Sequence, residues 1–496
     1  MIAEKGAAMV QRFDWLTDEL PDGHWPEPLR KRLCAAIRQL GWEAVQSGEF
    51  DPLEALYQDF CSIYPRLLVD RSDTDRAADL YTLLYTMLWR RTQILSELKR
   101  FNDDVVRPFA AFLTRHFPKK TPKPSSRAVP RIAYLSETSD LFGSNAIARI
   151  TVSLMLGQQA LRDPADSPFL YCINRPASCL QHFARDHDLR VRDVARDTPL
   201  RTAEAVLARL EADQIDILIA DSNCAVATMV MQRRPAAVQA FHENGFASWA
   251  IPELDLAFMG VTQPSSDLFE AGVTMVQTPR NTAFAFQRVA RPPEMIEAVR
   301  SVLCSESGIA QPSVIYGVYG RMAKINADYM ALVDTILQRD PKAIFFAGGT
   351  GRISPILDCK LASPAGDRMI IYNKFIDGHL IAECIDIFLD TFPFPGGMSC
   401  VEVQARGVPV VWMTPTSEDE LCLVAEHRDA RLQARDGDHF IALAGQAAEP
   451  AAWAGFSDTA FDIARRHGDM GEQAALVERL LSDAWAKVRL GTRVAA

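Results

Sequence analysis

Val314-Ile-Tyr-Gly-Val-Tyr-Gly-Arg-Met-Ala-Lys324-Ile-Asn326 runs an apolar strand into a glycine-containing loop that carries Arg321 and Lys324, with a helix start near Asn326. Ligands of open α/β sheets occupy the crevice beyond the carboxyl ends of the strands. Free helix amides and a nearby ammonium stabilise phosphate charge there. Lys324 offers the compact charge, and Arg321 a fork for a phosphate or a base. The bland alternative is a solvated basic loop. Strand and helix alternate onward from this segment. Ala343–Ala347, Met369–Tyr372 and Val408–Trp412 read as strands, and Asn326–Gln338, Leu380–Ile387 and Glu472–Val488 as helices. Upstream, Arg131–Ser136, Phe169–Ile173 and Ile215–Ala220 read as strands, with a helix over Arg201–Ala212. The pattern predicts two α/β domains with open parallel sheets, at 131–309 and 310–496.

Two further loops belong to the second domain. Gly348-Gly-Thr-Gly351 follows the strand at 343–347; it is neither a dinucleotide fingerprint nor a P-loop, and its glycines permit a tight turn and close backbone approach. Asp386-Ile-Phe-Leu-Asp390-Thr-Phe-Pro-Phe-Pro395-Gly-Gly-Met-Ser-Cys400 is sharper, with a helix expected from Val401. Gly396 and Gly397 permit unusual backbone angles, and Ser399 with the new helix amides faces a plausible phosphate position. Ser399 and Glu402 have the spacing of a capping box. Glu402 is also a candidate for sugar or ribose hydroxyls.

In front lies a helical region, 1–118, and a proline-rich linker, 119–130. Asp51-Pro-Leu-Glu54 reads as a helix start, Leu80, Leu84, Met87 and Leu88 share a helical face, and Tyr57, Phe60, Tyr64 and Trp89 read as core packing. With 496 residues and 48% apolar content the chain can form two or three cores. A net charge of -10 without a long basic tract argues against a general nucleic-acid binder. Ten cysteines occur without a CxxC pair, so neither a zinc site nor a disulfide scaffold is indicated, and thiols of a reducing cytoplasm are expected. No stretch reads as a secretory signal or approaches a membrane span.

These segments resemble the O-GlcNAc transferase family (GT41-like), including bacterial protein N-glycosyltransferases with a helical N-terminal domain. The likeness rests on Tyr316-Gly-Val-Tyr-Gly-Arg-Met-Ala-Lys324-Ile-Asn, on Asp386–Gly397 and on Ala405-Arg-Gly-Val-Pro-Val-Val411. Ile215–Asp221, Arg234–Gln239 and Leu254-Asp255 agree with it. It implies a GT-B-like fold, a pair of Rossmann-like domains facing across a cleft. It implies an inverting enzyme that needs no metal or other cofactor. The donor would be a UDP-sugar, UDP-glucose or UDP-N-acetylglucosamine, and the acceptor a protein or peptide.

Residue by residue, Lys324 resembles the lysine that supports the donor diphosphate, and Arg321 a neighbouring donor contact that is often glutamine. His379, in Ile376-Asp-Gly-His-Leu380, resembles a histidine that contacts uracil. Gly397, Met398 and Ser399 fall where the family has a His-Thr-Thr loop, and Glu402 where it commonly has a ribose-contacting aspartate. Gly397 replaces the loop histidine, and Phe142-Gly-Ser-Asn145-Ala lacks another histidine expected there. Asp221, His242 in a loop beginning Ala240-Phe-His242, or the substrate itself are the candidates for a base; His242 has a core or surface reading beside the catalytic one. No tetratricopeptide array precedes the resemblance, which points to a shorter bacterial-type enzyme. Competing expectations are a catalytically altered binding or assembly protein and a nucleotide-sugar epimerase. Oligomeric state is left open.

Overall fold

The computed structural model describes residues 25–491 apart from 48–49, 91–94, 139, 142–145, 195, 243–247, 261–267, 279–281, 416 and 418–427. Asn145, Glu243–Gly245 and Cys422 therefore lie outside the described residues, as do the side chains of Trp89 and of Asp51–Glu54. The nine described cysteines are all free thiols. Among the described residues no helix is long and apolar enough to cross a membrane.

The chain divides into two compact units, one of residues 1–280 with 470–496, the other Asn281–Asp469. The first opens with a helical layer: α1 (Glu27–Ser47), α2 (Phe50–Ile63), α3 (Thr74–Arg90), α4 (Leu95–Phe101), a π-turn at Asn102–Val106 and α5 (Arg107–His116). The face sharing Leu80, Leu84, Met87 and Leu88 is buried, as its spacing requires. This layer belongs to the same compact unit as the first sheet. Buried Asn102 donates to Leu268 O at 3.0 Å and accepts from Ala250 N at 3.1 Å. Tyr81 Oη donates to Asn223 O at 2.8 Å. Residues 118–130 form neither helix nor strand. Lys120 N there donates to Arg233 O at 2.9 Å, so the segment is strapped to the unit rather than loose.

The sheet of the first unit follows as β1 (Ile132–Ser136), α6 (Ile147–Leu161), β2 (Phe169–Cys172), α7 (Ser178–Asp186), β3 (Arg190–Asp193), α8 (Pro199–Ala212), β4 (Ile217–Ala220), α9 (Ala225–Gln232), β5 (Val238–His242), β6 (Leu256–Met259) and β7 (Thr274–Gln277). Its strands are all parallel, in the order β3-β2-β1-β4-β5-β6-β7. β1, β2 and β4 are buried throughout, which is why their sequences read as apolar runs; β5 and β6 are as buried, but β5 carries Gln239 and His242 within it. His242 ends β5 and is not part of a loop starting at Ala240; backbone pairing with Phe258 of β6 extends the strand to it.

The second unit contains α10 (Phe284–Gln287), α11 (Pro293–Ser307), β8 (Ile315–Arg321), α12 (Ala327–Arg339), β9 (Ile344–Thr350), α13 (Ser354–Ala362), β10 (Met369–Tyr372), α14 (Gly378–Cys384), β11 (Ile387–Leu389), α15 (Met398–Gln404), β12 (Val410–Met413), β13 (Gln433–Ala434), α16 (Gly437–Ala448) and α17 (Pro450–His467). Its strands are parallel in the order β10-β9-β8-β11-β12-β13. In both sheets winding starts at a central strand and reverses, between β1 and β4 and between β8 and β11. Those two switch points are where ligands of such sheets bind.

The last helix, α18 (Met470–Arg489), clusters with the first unit, so the second ends at Asp469 and not at the chain terminus. It lies close on α6. A Cβ on Gly157 would come 2.7 Å from Ala474 Cβ and 2.9 Å from Met470 O. Arg162 grips Glu478 through two bonds of 2.7 and 2.8 Å, and Gln158 links Glu478 (2.8 Å) to Tyr134 Oη (2.5 Å).

The tract Gly348-Gly-Thr350 continues β9 as strand instead of turning, and its glycines serve close backbone approach. Gly320 pairs with Gly349 across β8 and β9, both at positive φ, 144° and 147°. A Cβ on Gly349 would lie 1.7 Å from Gly320 O. Gly349→Ala is therefore expected to cost about 3 kcal/mol or more, adding backbone strain to a backbone clash. Denaturant unfolding should show it as a lower midpoint; a loss below about 1 kcal/mol would contradict the close approach.

Candidate functional site

β8 delivers Arg321 to the switch point of the second sheet, and a single 3-10 turn, Met322–Lys324, carries Lys324 past it. Asn326 then does two jobs. Its Oδ1 accepts from Tyr329 N at 2.8 Å and caps α12, while its Nδ2 donates to Phe392 O at 3.0 Å. Tyr329 Oη adds a bond to Leu389 O at 2.8 Å. The loop after β8 is thus tied to the loop after β11. Lys324 Nζ donates to Pro395 O at 2.8 Å and stands 4.2 Å from the centre of the Phe394 ring. The Arg321 guanidinium lies 5.1 Å from the same ring. Both cations lie over the same aromatic ring, a favourable arrangement for each.

The loop after β11 is built around Asp390, which is 1% exposed. Its Oδ1 accepts from Thr391 N at 2.9 Å and Gly396 N at 2.6 Å. Its Oδ2 pairs with Arg428 Nη2 at 2.6 Å, and Arg428 also donates to Gly396 O at 3.0 Å. Thr391 Oγ1 closes the loop on Phe394 O at 2.7 Å. A Cβ on Gly396 would meet Asp390 Oδ1, Cys400 Sγ and Ser399 Oγ at 2.7–2.9 Å, so only glycine fits.

Helix α15 starts at Met398, with Gly397 at its cap and no side-chain capping bond. The expected Ser399–Glu402 capping box is therefore not formed. The helix begins before Ser399, which sits inside the first turn instead of at the cap. Glu402 turns to Tyr319, whose Oη lies 3.3 Å from Glu402 Oε2 and 3.4 Å from Ser399 O. Gly378 leaves room for this group: a Cβ there would lie 2.8 Å from Tyr319 Cε2 and 3.0 Å from Glu402 Oε2. His379, 5% exposed, is the next residue of α14. That helix is capped by Asp377, which accepts from His379 N and Leu380 N and pairs with Arg291 at 2.5 Å. Burial works against the Asp377 carboxylate, but Arg291 and the cap amide outweigh it and hold the group below the usual range.

The structure thus brings Arg321, Lys324, Gly396, Gly397, Met398 and Ser399 to one switch point, with Glu402 joined to it through Tyr319 and His379 adjoining in sequence the Gly378 that packs on both. Asp221 and His242 belong to the first unit. Asp221 follows β4 and is 1% exposed. It accepts from Thr151 Oγ1 at 2.6 Å. Burial pushes its carboxyl from 3.8 up to about 7, and the neighbouring Glu137 charge adds to the rise against hydrogen bonds from Ser136 and Thr151. Glu137, held by Ser222 Oγ at 3.0 Å, is also raised by burial. His242 is 0% exposed, edge-on to Phe258 at 6.4 Å.

Glu137, Tyr319, Asp390 and Arg428 were not singled out from the sequence. Glu137 and Asp390 each directly follow a strand, a signal available for a carboxylate at the carboxyl end of a sheet strand. Arg428 carries no local signal, since its contacts lie 32 residues away at Gly396.

No protein-family profile matches the chain. No curated protein matches it. Among solved structures, a mutant of the Thermobaculum terrenum O-GlcNAc transferase superposes over 98% of this chain and 99% of its own, at 18% identity and a TM-score of 0.57. Anabaena HepE in complex with UDP covers 71% of this chain and 99% of its own, at 13% identity and a TM-score of 0.50. A glycosyltransferase from Rickettsia africae covers 73% and 100%, at 11% identity and a TM-score of 0.50. At these identities the likeness is one of fold, two Rossmann-like α/β units of the GT-B kind.

Proposed function

We propose that this chain is a glycosyltransferase that moves a hexose or N-acetylhexosamine from a UDP-sugar to a protein or peptide side chain, with inversion and without a metal. The observation that carries the reading is Lys324, whose ammonium meets the Phe394–Gly397 loop at the switch point of the second sheet. A diphosphate seated there would lie against a fixed cation and the first amides of α15. The fold neighbours support the reading, one being named an O-GlcNAc transferase and another solved with UDP.

The acceptor oxygen or amide nitrogen bonds to the anomeric carbon from the face opposite the nucleotide. The bond from that carbon to the diphosphate oxygen breaks, and its electron pair leaves with UDP. Lys324 and the amides stabilise that developing charge. Arg321, His379 and Glu402 position the nucleotide. The acceptor proton passes to a base; of the two protein candidates Asp221 is favoured, because a carboxyl pushed up to about 7 accepts a proton near neutrality.

Calorimetry with UDP-glucose and UDP-N-acetylglucosamine, followed by mass spectrometry of an acceptor-peptide library, tests this. Donor binding and one added sugar are expected. Failure to bind either donor or UDP ends the reading. Binding without transfer favours the assembly-protein alternative, and an epimeric donor formed without acceptor favours the epimerase.

A further inference from the structure

We propose that Asp390 and Arg428 are positioning residues that aim the Gly396–Gly397 peptide at the donor diphosphate, a role that rests on the UDP-donor reading above. A buried ion pair is a poor way to gain stability, because two charges lose their water. This one is buried at both ends, with side chains 1% and 3% exposed. Besides the bond from Thr391 N, each member of the pair holds Gly396. Asp390 Oδ1 accepts Gly396 N–H at 2.6 Å, and Arg428 Nη2 donates to Gly396 O at 3.0 Å. The missing Cβ of Gly396 allows the pair to come this near.

Holding that carbonyl has a geometric consequence. The Gly396–Gly397 peptide is trans, so its C=O and N–H point in opposite directions within one plane. Arg428 draws the carbonyl toward the buried side, and the Gly397 N–H must then point the other way. The guanidinium also polarises the peptide and strengthens that N–H as a donor. Lys324 grips the preceding carbonyl, Pro395 O, at 2.8 Å. Consecutive peptides of the loop are therefore fixed before any ligand arrives, Pro395–Gly396 between Lys324 and Asp390, and Gly396–Gly397 by Arg428, which Asp390 holds in place.

Charge and geometry predict opposite results, which makes the proposal testable. Asp390→Asn removes a negative charge beside the loop, so Coulomb attraction alone would tighten UDP binding. Arg428→Lys keeps the charge but its ammonium ends one bond short of Nη2, the atom that meets both Asp390 and Gly396 O. The clamp predicts that both variants of the full-length protein lose about tenfold or more in UDP affinity by calorimetry. Uridine, which lacks the diphosphate, should bind each variant within about twofold of wild type, the spread of a 0.4 kcal/mol change. Thermal melts and circular dichroism establish that each variant folds, and either folded variant decides the matter. Unchanged or tighter UDP binding overturns the clamp, as does an equal loss for uridine and UDP. Loss of cooperative melting in both variants assigns the pair to stability and also overturns it. Wild-type protein that binds no UDP sinks the donor reading itself, a result separate from all of these.

Discussion

Lys324→Ala is expected to lower sugar transfer by roughly a hundred- to thousandfold, the usual effect of removing one preorganised group that stabilises developing negative charge. Its ammonium is held by Pro395 O at 2.8 Å and by the Phe394 ring at 4.2 Å. The charge is already in place when the diphosphate begins to leave, so little reorganisation accompanies the reaction. The loss should fall mainly on turnover. UDP affinity should weaken less, because Arg321 and the nucleoside contacts remain. Lys324→Arg should recover only part of the rate: it restores charge, but a planar fork does not fit a seat shaped for a compact ammonium. Initial rates of UDP release at saturating donor measure this, and a Lys324→Ala variant within tenfold of wild type would refute the leaving-group role.

Stability should fall as pH rises from about 4 to about 7, and Asp221→Asn should remove most of that fall. Burial raises the folded carboxyl of Asp221 to about 7 from an ordinary value of 3.8. Between those values the folded chain keeps a proton that the unfolded chain has released. The unfolded state then binds fewer protons, and the slope of unfolding free energy with pH is negative. Below about 4 both states are protonated, and above about 7 both are ionised, so the curve is flat at each end. Three units at about 1.4 kcal/mol each set an upper limit of about 4 kcal/mol. Glu137, also raised by burial, contributes a fall of the same sign. Asparagine preserves the acceptor for Thr151 Oγ1, so the variant isolates the charge. Urea titrations at several pH values give the difference curve. Parallel wild-type and variant curves between pH 4 and 8 would remove Asp221 as the titrating group, and with it the case for Asp221 as a base poised near neutrality.

Much of the fold was legible because buried parallel strands announce themselves. β1, β2, β4, β8, β9, β10 and β12 are short apolar runs, and each was located within a few residues. β3 was not. Its sequence, Arg190-Val-Arg-Asp193, lies at the sheet edge and is only partly buried, so it has no apolar run to read. β7 is the other edge strand, half exposed, and was missed for the same reason. The site divides in a similar way. Lys324, Gly396 and His379 stand in contiguous motifs, whereas Arg428 reaches Gly396 across 32 residues.

By itself the sequence determined two parallel α/β sheets and the glycine-bearing loops that follow their strands, since strand burial and glycine loops are local properties. Tertiary structure alone decided that α18 returns to the first unit, that Gly320 and Gly349 share a close strand pair, and that Asp390 and Arg428 hold Gly396 between them. The reason is physical: periodicity says which face of a helix is apolar but not what covers it, and charge says that a carboxylate needs a partner but not which distant guanidinium supplies it.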